Sequence, residues 1–200
     1  MGTRIRILTG ILGLSTVLTF VVAFLVIGVL TPDFQFASDY VSKLGSRGQP
    51  YADWWNAIGF GVVGLTFALF GFLLGLCTND RLLGVCLLIA GLGFVFAAIP
   101  TDFTDEHSAL SKAHHASICF GLAGWCFGLA RLTGTRSIND SARKIATCTI
   151  TLSILPMIAM GGGVSSEPVA HRLVLLVVFA WTVANSLQLL KTACKPNIAG

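Results

Sequence analysis

Apolar residues run along this chain in six long blocks, separated by short breaks rich in charged and turn-forming residues. The blocks are Ile7 to Leu30, Trp55 to Leu76, Leu83 to Pro100, Ala113 to Leu132, Ile145 to Val164 and His171 to Leu190. None alternates at period two, so each reads as a helix that satisfies its own backbone in lipid rather than as a barrel strand. Roughly 20 residues span the hydrocarbon of a bilayer, and each block is near that length. The expected fold is all-α, a single six-helix transmembrane domain over residues 1–200.

Composition sharpens this picture. Hydrophobic residues make up 54% of the chain and charged ones 11%, against about 25% charged in a soluble domain, so a soluble reading is excluded. The 13 Lys and Arg stand singly at block ends and form no basic stripe, which argues against a nucleic-acid partner. Their distribution sets the threading. With a cytoplasmic N-terminus, the inside collects Arg4, Arg6, Arg81, Arg131, Arg136, Arg143, Lys144, Lys191 and Lys195, and the outside only Lys43, Arg47, Lys112 and Arg172. By the positive-inside rule both termini are expected in the cytoplasm, in a multi-pass protein of the cell membrane. Arg4 and Arg6 ahead of an apolar run resemble a signal peptide, but the run is long and lacks a small-residue cleavage site, so it reads as an uncleaved first helix. Neither end carries a lipidation motif.

Small residues suggest how the helices pack. Gly71-x-x-x-Gly75 and Gly124-x-x-x-Gly128 put glycine pairs on one face, as close helix approach in lipid requires. Phe60-Gly61-x-x-Gly64-x-x-Phe67-x-Leu69 is echoed 60 residues later by Phe120-Gly121-x-x-Gly124-x-x-Phe127-x-Leu129, as a duplicated hairpin would be. The six cysteines read as small packing residues, and Asn185 and Gln188 as interhelical hydrogen-bonding groups. In the first exterior loop Phe36, Tyr40 and Leu44 recur at four-residue spacing before Gly45, which predicts a short amphipathic helix roofing the bundle.

The chemistry gathers at the exterior boundary, where all four histidines and seven of the nine acidic residues fall. Thr104 followed by Asp105 and Glu106 predicts a helix start, with a cap and first-turn acids. A helix from there puts His107 and His114 about 20° apart on one face. Boundary histidines and acids ordinarily cap helices and pair with nearby cations such as Lys112 and Arg172. They also supply donors for a metal: Asp102, His114 and His171, from three helix ends, would hold zinc, with His107 or His115 as spare ligand or general base and Glu167 as the alternative base. No His-x-x-x-His spacing accompanies them.

Ser42-Lys43-Leu44-Gly45, Gln49-Pro50, Asn56 opening a Gly-rich helix, Ile99-Pro100-Thr101-Asp102, His107, His114-His115, and His171-Arg172-Leu173 with Trp181 together resemble the order of motifs in the domain-of-unknown-function 998 family. Lys43 and His171 depart from that family's usual residues at their positions. The resemblance implies a six-helix integral membrane protein and supplies no reaction. A zinc site would look similar to those of the alkaline ceramidase and adiponectin receptor superfamily, whose seven-helix length this chain lacks. The function expected is therefore recognition at the extracytoplasmic face, of membrane lipids or of a membrane partner that includes a second copy. The alternative is a metal-dependent hydrolase of a lipid amide or ester.

Overall fold

A computed structural model describes residues 2–105, 107–134 and 140–194. Six long helices, and no strands, occur among the described residues: α1 Thr3–Leu30, α2 Ala52–Cys77, α3 Arg81–Phe96, α4 Ala109–Gly134, α5 Asp140–Gly161 and α6 Glu167–Ala193. Five are long and apolar enough to cross a membrane, and α3 is a shorter apolar helix of 16 residues. At 1.5 Å per residue α3 reaches about 24 Å, somewhat less than a typical hydrocarbon core. Glu106, Arg136 and Lys195, which enter the expectations above, lie outside the described residues.

Each helix packs on its neighbours in sequence, and α1 closes the ring against α6. Gly10 lies beside Leu190, and the Phe20 and Phe179 rings are 4.7 Å apart, so α1 and α6 run antiparallel. Glycine makes the tightest seams. A Cβ on Gly75 would sit 2.3 Å from the Gly84 Cα, one on Gly91 2.3 Å from the Ala68 nitrogen, and one on Gly93 2.4 Å from the Gly121 Cα. Backbone-to-backbone approach of this kind replaces the hydrophobic drive that lipid cannot supply between helices. Consequently α3 is held between α2 and α4 by both glycine motifs read from the sequence. The echo between those two helices is only skeletal: Phe60 and Phe67 are buried, whereas Phe120 and Phe127 point outward.

Aromatic side chains fill the middle of the ring. Trp125 and Trp181 meet edge to face at 5.0 Å, with Phe67 and Phe70 against them and Phe94 bridging Phe20 and Phe179. Such pairs add about 0.5–1.5 kcal/mol each beyond area burial. The outer surface is apolar too: Leu18, Val29, Leu65, Phe127, Ile158 and Leu176 are all exposed. A belt of this extent is untenable in water and suits lipid. Some inward-facing polar groups pair across helices, as with Trp125 Nε1 donating to Ser153 Oγ at 3.3 Å and Thr16 Oγ1 to Thr66 Oγ1 at 2.9 Å.

Helix α5 continues through Pro156 and ends at Gly161. One sequence expectation changes. The roofing helix through Phe36, Tyr40 and Leu44 does not form; only Val41–Gly45 winds, as a 3₁₀ turn. A helix there would need the Ala37 and Asp39 carbonyls for its own amides, but the Arg172 guanidinium takes both. The Lys43 amide turns instead to the Tyr40 carbonyl at 3.0 Å.

Candidate functional site

The polar end of the bundle is assembled from the loop between α1 and α2, the loop between α3 and α4, and the first turn of α6. Helix α4 begins later than Thr104 would place it. Ser108 Oγ accepts the Ser111 amide at 3.2 Å, which makes Ser108 the cap, and the helix opens at Ala109. Thr104 belongs to a separate turn, in which Asp102 Oδ1 accepts the Thr104 amide at 2.9 Å and the Thr104 hydroxyl at 2.6 Å. Short polar side chains so placed compete with helix formation by bonding the backbone two residues on. His107 therefore stands exposed in the turn before the helix, its amide bonded to Asp105 Oδ1 at 3.1 Å, and the one-face relation to His114 does not hold.

Ser111 stitches this loop to α4. Its hydroxyl accepts the Asp102 amide at 3.0 Å and lies 2.9 Å from Ser108 Oγ. One turn on, His114 is buried, with Nδ1 3.0 Å from the Ile99 carbonyl and its ring 5.7 Å from that of Phe60. Phe60 belongs to the π-helical stretch Trp55–Val62 that opens α2. Single π turns of this sort often mark functional sites. Here the wider winding turns Trp55, Asn56, Gly59 and Phe60 inward together. Asn56 Nδ2 donates to the Gly45 carbonyl at 2.9 Å, and a Cβ on Gly45 would lie 2.0 Å from Asn56 Oδ1, so only glycine fits the turn.

Beneath the roof several buried polar atoms have no hydrogen-bond partner: Trp55 Nε1, Asn56 Oδ1, Thr101 Oγ1 and His114 Nε2. Each such atom costs about 1–3 kcal/mol unless a water or ligand meets it. Above them the roof is tied down from α6. Arg172 donates to the carbonyls of Ala37, at 3.1 Å, and Asp39, while the Tyr40 hydroxyl donates to Glu167 and its ring packs 5.7 Å from His171. The Arg47 amide donates to the Thr101 carbonyl at 2.9 Å, joining the roof to the loop before α4.

Between the roof and that loop lies a cleft of about 420 Å³ bordered by Asp39, Tyr40, Lys43, Arg47, Asp102 and Phe103, among others. Its charges come in opposed pairs. Lys43 Nζ is 2.7 Å from Asp39 Oδ2, and Arg47 reaches within 3.9 Å of Asp102 Oδ2. Hydrogen bonds from the Thr104 hydroxyl and amide, with help from Asp105 and the Arg47 charge, hold the Asp102 carboxyl below its ordinary range. Partial burial would raise the Asp39 carboxyl, but hydrogen bonds from Gln35 and Lys43 and the charges of Lys43 and Arg172 outweigh it and lower the group. Both carboxylates are thus ionised at neutral pH.

The candidate zinc ligands share this end without forming a ligand set. His114 and His115 are ring neighbours at 5.9 Å, and the His171 ring packs instead 5.7 Å from that of Tyr40. His115 is exposed and His171 half-buried against Tyr40. Among the described residues no three His, Cys, Asp or Glu side chains are grouped to hold a metal ion. Asp102 is engaged by Thr104, Asp105 and Arg47. The observed partners give the hydrolase reading no support.

Residues 15–188 match the family described as Protein of unknown function (DUF998). The chain belongs to the DUF998 family. No curated protein and no solved structure matches it. The motifs that carried the DUF998 resemblance mostly meet at this one end, each with a physical task. Leu44 is fully buried beneath the roof and Gly45 admits Asn56. Ile99 to Asp102 offers the carbonyls that receive His114 and Arg47, and Arg172 fastens the roof to α6. Trp181 stands apart, in the aromatic layer. The roles of Arg47, Ser111 and Arg172 were not legible in the sequence, because their partners are backbone atoms of distant loops. Only Asp102-x-Thr104, a turn spacing, carried a local signal.

Proposed function

We propose that this DUF998 protein crosses the cell membrane six times with both termini in the cytoplasm, and that its roofed end recognises the polar headgroup of an outer-leaflet lipid. The nine-to-four partition of Lys and Arg supports the threading. Arg6 near the start of α1 and Thr192 near the end of α6 border one cavity, in keeping with an even number of crossings. Helix α3 completes the count if its neighbours hold it across a locally thinned bilayer.

The observation that carries the recognition reading is the cleft between the roof and the loop before α4, with Lys43 and Arg47 interleaved with Asp39 and Asp102. Two cations and two carboxylates around one opening fit a headgroup that carries both a phosphate and an amine, and Tyr40 and Phe103 offer apolar sides to the glycerol region. Rim charges at an interface favour selectivity more than raw affinity. Native mass spectrometry of protein released from detergent tests this. The wild type retains a zwitterionic phospholipid, and the double variant Lys43→Ala/Arg47→Ala retains at least tenfold less. Equal retention by both would overturn the assignment.

A further inference from the structure

A second cavity, of about 350 Å³, opens at the end of the bundle opposite the roof. It lies among α1, α2, α4, α5 and α6, and its lining changes character with depth. Arg6, Thr78 and Thr192 stand at the mouth with Leu74 and Gln188 about one turn in, Asn185 follows, and Trp181 lies deepest along α6. Trp181 and Thr192 are eleven residues apart on α6, so the cavity is roughly 16 Å deep at 1.5 Å per residue.

Three features separate it from a packing gap. Arg6 makes no ion pair among the described residues. The Gln188 amide, expected to bond a neighbouring helix, has no protein partner among them, and Asn185 Nδ2 bonds only the Trp181 carbonyl of its own helix, at 2.8 Å. Gln188 is exposed and Asn185 half-buried, so both amides are open to the cavity. Finally, the floor is Trp181, packed edge to face on Trp125, so the space ends at a rigid apolar wall.

We propose that this cavity binds a small amphipathic monoanion, its acid group held by Arg6 and Gln188 at the mouth and its apolar body lying against Trp181. A guanidinium beside an amide donor suits a carboxylate. The volume lies at the low end of the 300–1,000 Å³ of small-molecule sites, so it admits a medium-length chain rather than a whole phospholipid. Arg81, Lys144 and Lys191 at the same end enrich anions near the mouth.

Tryptophan quenching by 8-bromooctanoate, titrated into the full chain in a non-ionic detergent, tests the assignment, since the bromine end of a bound chain would lie at Trp181. The expected result is a saturable quench that largely disappears in Trp181→Phe and whose dissociation constant rises at least tenfold in Arg6→Gln and severalfold in Gln188→Leu. Arg4→Gln, which removes the same charge outside the cavity, should leave it unchanged, and circular dichroism confirms that each variant is folded. Equal quenching by 8-bromooctanol, a non-saturating signal, or equal weakening by Arg4→Gln and Arg6→Gln would overturn the proposal.

Discussion

Nδ1 of His114 lies 3.0 Å from the carbonyl oxygen of Ile99. A carbonyl only accepts, so Nδ1 carries the proton and the contact fixes the ring between α4 and the end of α3. His114→Phe keeps the packing against Phe60 but leaves the carbonyl unpaired. The expected loss is about 1–3 kcal/mol of stability, read as a lowered Tm in detergent. An unchanged Tm would mean that the contact carries no net stability.

The glycine seams predict a graded response to added methyl groups. Gly75→Ala and Gly93→Ala place a Cβ within 2.4 Å of a facing backbone and should destabilise severely by forcing α3 from its neighbours. Gly161→Ala, with nothing within 4 Å, should be neutral or slightly stabilising. Thermal unfolding of the three variants checks the order.

Arg172 holds the roof through two backbone carbonyls, a forked contact that an ammonium cannot reproduce. Arg172→Lys should loosen the loop between α1 and α2 while leaving the helices intact. Hydrogen exchange over residues 34–44 is the measurement: protection should fall there and persist in α2 and α3.

The Asp102 carboxyl titrates below its ordinary range because the folded turn favours its charged form. A carboxyl depressed by folding contributes stability that is fully present above its unfolded value, near 3.9, and is lost as pH falls through the lower folded value. The Tm difference between wild type and Asp102→Asn should therefore be constant above about pH 5 and shrink in more acidic buffer. A difference that grew on acidification would contradict the turn geometry.

Much of the fold was legible because lipid imposes a simple rule: a continuous apolar run must become a helix. The runs accordingly marked the long helices among the described residues, five of them long and apolar enough to cross a membrane, and Gly71, Gly75, Gly124 and Gly128 marked seams that the structure contains. Helix starts were less legible. Thr104 and Ser108 are both capping residues, and choosing between them requires knowing that Asp102 engages Thr104. The roof reads as an amphipathic helix in the sequence because nothing near Ala37 and Asp39 reveals that Arg172, more than 130 residues away, removes their carbonyls from helical bonding. The histidines draw attention to this end of the bundle, where only His114 and His115 are ring neighbours. Its chemistry was not legible, since burial of His114 and exposure of His115 follow from packing that adjacent identical residues cannot signal.

Under the function proposed above, the roofed end recognises the headgroup of an outer-leaflet lipid. Its most direct test uses proteoliposomes of a variant in which the six native cysteines are replaced by alanine and a fluorophore is attached at Ser38→Cys, on the cleft. Headgroup-spin-labelled phospholipid is then added to the outer leaflet of vesicles whose protein exposes this site outward. Headgroup recognition at the cleft should give saturable quenching at a small mole fraction of labelled lipid, reversed by unlabelled zwitterionic lipid and abolished by Lys43→Ala/Arg47→Ala. Quenching that rises only in proportion to labelled lipid, identically in the variant, would contradict it.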